Sequence, residues 1–255
     1  MTTQDYYNIV PDENGWRKFP NGDKFKLGLD CIIGNRAIIG KWASIGNNVK
    51  IGKRAIIDDG VYIGEYALIG IDTSIGSYAT IGKYASIGNY VEIGNDATIG
   101  NGAEIDNYAI IDDGVYIGDG ATIGYESTIG NYTVINNGAI IGNKVVIGNW
   151  VKIGNNASTG KDAYIGNGAS IADDVVIGNK VTIGKDAYIG NGASIADDVV
   201  IGNNASIENN VKIGNNPYIG NNVVIGNGAI IDKYASIGID TKLGDGAIIS
   251  NNEKQ

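Results

Sequence analysis

The chain has 255 residues, with 19 Lys and Arg against 28 Asp and Glu, giving a formal net charge of −9. That balance argues against a protein that tracks nucleic-acid phosphates. Histidine is absent, which removes the commonest acid–base group near neutral pH and the commonest zinc ligand, and a single cysteine, Cys31, gives no internal disulfide.

Residues 1–26 differ from everything after them. They hold both phenylalanines, Phe19 and Phe25, together with Pro11, Pro20, Trp16, Tyr6 and Tyr7. Asn14-Gly15 and Asn21-Gly22 are hairpin-turn signals. Two readings stay open and are compatible: a cap over the exposed end of whatever follows, or an attachment segment that docks the chain onto a protein assembly partner. No apolar run approaches transmembrane length, and the start lacks a basic-then-apolar signal pattern. The expectation is a soluble protein, cytoplasmic or part of a virion or surface assembly.

From Leu27 to Ile248 one six-residue phrase repeats without a slip, as in IGNRAI, IGKWAS, IGNNVK. The first place is aliphatic and the second usually Gly. Turn-formers fill the third and fourth, and the fifth is small. These 222 residues make 37 hexads, whose first places are Ile except for Leu27, Leu243 and Thr159. Aliphatics every six residues do not hold one face of a 3.6-residue helix. The Asn, Asp and Gly pairs at the third and fourth places tolerate positive φ and bond their own backbone. Each hexad therefore reads as a short inward-facing strand plus a corner. Such a unit buries its aliphatic only by stacking. Three corners close a triangle, so 18 residues make one coil and the array makes about twelve.

The phrase I-G-x-x-A/V-x resembles the bacterial transferase hexapeptide repeat over residues 27–248. The resemblance implies an all-β fold, a left-handed parallel β-helix. The implied domain plan is an N-terminal segment at 1–26, one elongated β-helix at 27–249 and a polar tail at 250–255. Left-handedness is implied by the family alone and runs against the usual crossover rule. The family also implies trimers packed side by side, and acyl transfer from a thioester with His as base. Its carbonic anhydrases hold zinc with three His, a set this chain lacks.

Departures from the phrase are small. Gly at the second place gives way to Asp58, Asp106, Asp112, Asn136, Ala172, Ala196, Glu208 and Asp232, and Pro217 takes a fifth place. No insertion leaves the repeat. KDAYIGNGASIADDVVIGN stands at 161–179 and again at 185–203, an offset of four hexads that moves the copy to the next face. IDDGVYIG at 57 and 111 is offset by three whole coils and keeps its face. Cys31, at a fifth place, reads as core filling.

Four aromatics stand at fourth places of one face, Trp42, Tyr78, Tyr132 and Trp150. Exposed aromatics are frequent at interfaces, which makes these four the candidate interface, for self-association or for a glycan or protein partner. The alternative is local packing over corner glycines such as Gly60 and Gly114. Tyr66 and Tyr84, then Tyr90, Tyr108 and Tyr234, occupy neighbouring columns. Gly102, Gly120, Gly138, Gly192, Gly228 and Gly246 read as a separate smooth strip. Thr80, Thr98, Thr122 and Thr128 do not form one column, which weakens an ice-binding reading. The irregular acidic places do not match calcium-binding repeats.

The carboxylate candidates for catalysis are Asp58–Asp59 and Asp112–Asp113, each at a corner where solvated Asp is expected. The sequence shows no pocket-forming loop in which a carboxylate would be tuned. The reading is therefore a non-catalytic structural or adhesive β-solenoid of the phage tail-fibre or surface-assembly type, a homotrimer without catalytic residues, metal or cofactor. The alternative is a diverged acyl-CoA-dependent acyltransferase.

Overall fold

The computed structural model describes residues 3–250 and divides into two compact units, Met1–Glu126 and Ser127–Gln255. Except for Ser250, the polar tail expected at 250–255 lies outside the described residues.

In both units a two-residue strand recurs every six residues, formed by the sixth place of one hexad and the first place of the next. The first-place side chain is buried and the sixth-place side chain points out, as in Tyr62–Ile63 or Val200–Ile201. Within each unit the strands pair in parallel with those 18 residues on: Ser44 with Tyr62 and Ile45 with Ile63 in the first unit, Val200 with Tyr218 and Ile201 with Ile219 in the second. Each unit is thus a three-sided parallel β-solenoid of 18-residue coils, and the coils number about twelve in all. The core is the stack of first-place aliphatics with the fifth-place Ala and Val beside them.

The backbone explains why six residues suffice. The sixth-place N–H donates to a fifth-place carbonyl of the next coil (Ile32 to Val49, 2.9 Å) and the second-place N–H to a first-place carbonyl (Gly34 to Ile51, 2.8 Å). The fourth-place N–H reaches back to the preceding coil (Arg54 to the Asn35 carbonyl, 3.0 Å). Third-place N–H groups donate to the Oδ1 of the third-place Asn or Asp one coil on, as in Leu29 to Asn47, Lys161 to Asn179 and Asn203 to Asn221. That ladder is why Asn and Asp crowd the third place.

Of the two turn places, it is the fourth that takes positive φ throughout, from Asp30 at 54° to Gly246 at 67°. The second-place glycines answer a different need. A Cβ on Gly70 would lie 2.1 Å from the Gly88 carbonyl oxygen, so the stacked coils leave no room there. At Asp106 and Asp232 the second-place carboxylate does the ladder's work itself, accepting the N–H of Asn107 and Lys233 at 2.7 and 2.8 Å. For Asn107 the reason is visible one coil on, where the third place is Tyr125 and supplies no such acceptor.

Buried polar residues at fifth places are satisfied by one geometry. Thr73, Ser127 and Thr133 donate to the second-place carbonyl fifteen residues on, at 2.8–2.9 Å. The Cys31 thiol does the same to Gly46 at 3.0 Å. Cys31 is buried, and desolvation pushes its thiol pKa up. Pro217 fits because the N–H it lacks would make only the long corner bond, which elsewhere runs 3.2–3.4 Å.

The N-terminal segment opens with helix α1 (Thr3–Asn8), followed by β1 (Trp16–Lys18) and β2 (Lys24–Leu27). β1 and β2 form an antiparallel hairpin, and β2 pairs in parallel with Ser44–Ile45, so the hairpin completes one sheet at its open edge. The other two sheets begin at β3 (Ile32–Ile33) and β4 (Ile38–Ile39). Their edge N–H groups meet tyrosine hydroxyls: Ile33 donates to Tyr7 Oη at 3.0 Å and Ile39 to Tyr6 Oη at 3.1 Å. Phe25 is fully buried, with Phe19 stacked on it at 4.6 Å and Tyr6 edge-on at 5.6 Å. The Arg17 guanidinium bonds the Ile9 and Tyr7 carbonyls and ties α1 to the hairpin. Among the described residues no helix is long and apolar enough to cross a membrane.

Candidate interaction surface

The four aromatics singled out from the sequence are all exposed, yet they are not equivalent. Trp42 packs edge-on against Trp16 of the N-terminal hairpin, ring centroids 6.0 Å apart. Tyr78 lies over Gly60, where an added Cβ would meet its ring at 2.6 Å. That is the local packing over a corner glycine weighed as the alternative. In the second unit Tyr132 and Trp150 stack at 4.6 Å and 21°. Neighbouring corners of the first unit carry further stacks. Tyr66 lies on Tyr84 at 5.1 Å and Tyr90 on Tyr108 at 5.0 Å, with Tyr125 edge-on to Tyr108 at 5.5 Å.

All the fourth-place rings sit on backbone in the left-handed region, which costs about 1–2 kcal/mol for a residue with a Cβ. A ring pair returns about 0.5–1.5 kcal/mol. Folding stability alone therefore gives little reason for rings at these corners, and Trp150 keeps 65% of its surface exposed.

The glycines expected as a separate strip are placed differently. Gly102 and Gly120 continue the corner that carries Tyr66 and Tyr84, one and two coils beyond Tyr84. A Cβ at either would meet nothing within 4 Å. The Tyr66–Tyr84 stack therefore ends in an open step.

The carboxylate pairs are held by the corner architecture. Asp59 Oδ1 accepts the Lys41 N–H at 3.0 Å, and its Oδ2 is 3.6 Å from Lys41 Nζ. Asp113 Oδ1 accepts the Asn95 N–H at 2.6 Å and the Asn95 side-chain amide at 3.3 Å. Burial, and then the neighbouring Asp113, raises the pKa of Asp112. Asp58 and Asp112 follow strands of one sheet three coils apart, about 14 Å at ~4.8 Å per strand. That is too far for the two to share one substrate bond as acid and base. Among the described residues no group of three or more His, Cys, Asp or Glu is placed to hold a metal ion.

Two of the recesses in the first unit adjoin the solenoid's outer faces. One, of about 480 Å³, lies between the Phe19–Asp23 turn and Ile39, Lys41 and Asp59. The other, about 250 Å³, opens on an outer sheet face among Tyr62, Thr80, Thr98 and Tyr116. The sequence reading followed aromatics at fourth places and passed over the outward sixth places where these tyrosines stand. The recurrence of IDDGVYIG at 57 and 111 carried the signal, since its tyrosines are Tyr62 and Tyr116. The off-register copy behaves as its offset requires: Tyr164 and Tyr188, equivalent in the two copies, stand on different sheets.

Models of known families recognise the array. The bacterial transferase hexapeptide model (six repeats) matches residues 30–65 and 180–215, and the hexapeptide repeat of succinyl-transferase matches 150–182. These matches identify the array, over the stretches they cover, as hexapeptide repeats of the transferase kind. The GMPPB C-terminal domain model also matches, at 69–158. Comparison with curated proteins finds no match.

Solved structures similar to this hexapeptide-repeat chain include three UDP-N-acetylglucosamine acyltransferases. That of Moraxella catarrhalis is 25% identical over 69% of this chain and 66% of that one, with a TM-score of 0.41. That of Campylobacter jejuni is 20% identical over 60% and 65%, with a TM-score of 0.37. That of Arabidopsis is 18% identical over 82% and 69%, with a TM-score of 0.38. The chain thus spans 65% and 66% of the length of the Campylobacter and Moraxella structures.

Proposed function

We propose that this hexapeptide-repeat chain is a non-catalytic structural or adhesive solenoid that acts through its outer surface. The assemblies meant are those of the phage tail-fibre or bacterial-surface type, formed as a homotrimer. The observation that carries the reading is the unbroken register. From 27 to 249 a strand recurs every six residues, and no loop departs to enclose an acceptor. Third-place side chains such as Asn101, Asp113 and Asp119 are engaged in the corner ladder, and the chain has no His to serve as base. Residues 1–26 serve in this reading as the cap of the first coil and as its point of attachment. The second reading, an acyl-CoA-dependent acyltransferase, is favoured by the transferase family models that match 30–65, 150–182 and 180–215.

Thermal melts with acetyl- and succinyl-coenzyme A at millimolar concentration separate the two. Unchanged melting is the expected result, and a saturable upward shift would favour the acyltransferase. Sizing with light scattering tests the surface role. Replacing Tyr132 and Trp150 by Ser is expected to lower the assembled mass with circular dichroism unchanged, whereas an unaltered mass returns that ring pair to local packing.

A further inference from the structure

The recess bounded by Tyr62 and Tyr116 has a composition that selects a ligand. Its floor is one sheet face of the first unit, where Ser44, Tyr62, Thr80, Thr98 and Tyr116 follow one another on adjacent strands in register. None of these five carries a charge. The other two sheets of the unit present Lys50 and Glu104, and Glu92, at the equivalent outward places. Tyr62 and Tyr116 are 45% and 41% exposed and stand three strands apart, about 14 Å at ~4.8 Å per strand. Thr80 and Thr98 lie between them, and among the described residues their hydroxyls have no hydrogen-bond partner. Lys83, Asn101 and Asp119 line the groove at the adjoining corner. Beyond that corner Tyr84 is followed by Gly102 and Gly120, where nothing stands within 4 Å of an added Cβ.

We propose that this groove binds a neutral oligosaccharide. One sugar unit lies between Tyr62 and Tyr116 over the two threonines, and the chain runs across the bare Gly102–Gly120 corner toward the free face of Tyr84. Its floor is uncharged, and the two charges at its edge are of opposite sign and already engaged, Lys83 with Glu65 and Asp119 with the Asn101 N–H, which leaves little to attract an ion. Bare aliphatic ligands would leave the threonine hydroxyls unpaired, at a desolvation cost. A ring with apolar C–H faces and hydroxyl edges meets both kinds of surface, the tyrosine faces and the threonine hydroxyls. At about 250 Å³ the recess lies below the ~300–1,000 Å³ of sites for drug-sized ligands, which suits one or two sugar rings. A second copy of the chain would need about 800 Å² per partner, more than a five-strand strip about 20 Å long supplies. The inference deepens the adhesive reading but rests on different residues from Trp42, Tyr78, Tyr132 and Trp150.

The test is titration calorimetry of the full chain with cellotetraose, mannotetraose and chitotetraose. Three variants accompany it: Tyr62→Ser with Tyr116→Ser, Thr80→Lys, and Trp150→Ser as a control. All the altered side chains point outward, and circular dichroism checks that the fold is kept. The expected result is saturable binding of at least one sugar by the parent chain and by Trp150→Ser, weakened about tenfold or more by each groove variant. Flat titrations with all three sugars overturn the proposal, as does binding that survives both groove variants. Loss on Trp150→Ser alone would place sugar binding at the ring corners, keeping the adhesive reading and ending this one. A groove variant that lowers the assembled mass and leaves sugar binding intact would make the face a contact between copies instead.

Discussion

Glycine in this chain answers two physical demands that the six-residue phrase alone does not separate. At Gly70 the constraint is space, because a Cβ would lie 2.1 Å from the Gly88 oxygen and 2.3 Å from its carbonyl carbon. At Gly102 it is conformation, because φ is +62° and nothing stands nearby. Gly102→Ala is therefore expected to cost about 1 kcal/mol, the left-handed penalty for a Cβ. Gly70→Ala should cost about 2 kcal/mol or more, since two coils have to part. It is not prohibitive, because Ala172 and Ala196 show that a corner can accommodate the methyl group. Denaturant midpoints of the two variants check the order. Equal losses would mean that the coils part at little cost and that space does not explain Gly at the second place.

An element in this fold is a strand two residues long, and it persists only through its neighbours. The first strands of the array have no coil beneath them, which makes the N-terminal segment the place where the pattern needs help. The hairpin of β1 and β2 covers one sheet, while the hydroxyls of Tyr7 and Tyr6 take the N–H groups of Ile33 and Ile39 in β3 and β4. Changing Tyr6 and Tyr7 together to Phe keeps the rings and removes those two acceptors, together with the bond that Tyr7 Oη donates to the Cys31 carbonyl at 2.8 Å. The expected loss is about 1–3 kcal/mol per orphaned buried N–H, confined to the first coil. Amide exchange should quicken at Ile33 and Ile39 and stay slow at Ile201; protection unchanged at all three would show that the hydroxyls are idle. The sequence suggested a cap and its hairpin turns, but not which residues make these contacts, because a capping contact has no period. The same reason hid the Trp16–Trp42 contact. The hexads themselves were legible apart from the hand of the coil, since an inward Ile every six residues buries itself only by stacking. The columns of side chains outside that core were only half legible. The tyrosine stacks follow the period, but the step at Gly102 and the face of Tyr62 and Tyr116 required knowing which places point outward together.

At the largest scale, an interior coil within each unit is held by the coil above and the coil below and by little else. In the second unit the strand Ser194–Ile195 pairs with Val176–Ile177 on one side and Lys212–Ile213 on the other. Stability in such an array is close to a sum of nearest-neighbour terms, so damage should stay near its source. Ile195→Asp puts an unpaired carboxylate into the stack of first-place aliphatics, where burial disfavours its charged form. The expected outcome is local opening. Amide exchange should rise sharply in the strands of Ile177, Ile195 and Ile213, while the strands of Ile129 and Ile147 in the same unit keep their protection. A single cooperative loss across the whole unit would instead mean that the coils are coupled well beyond their neighbours. In that case the repeat, however regular, would fold as one indivisible body.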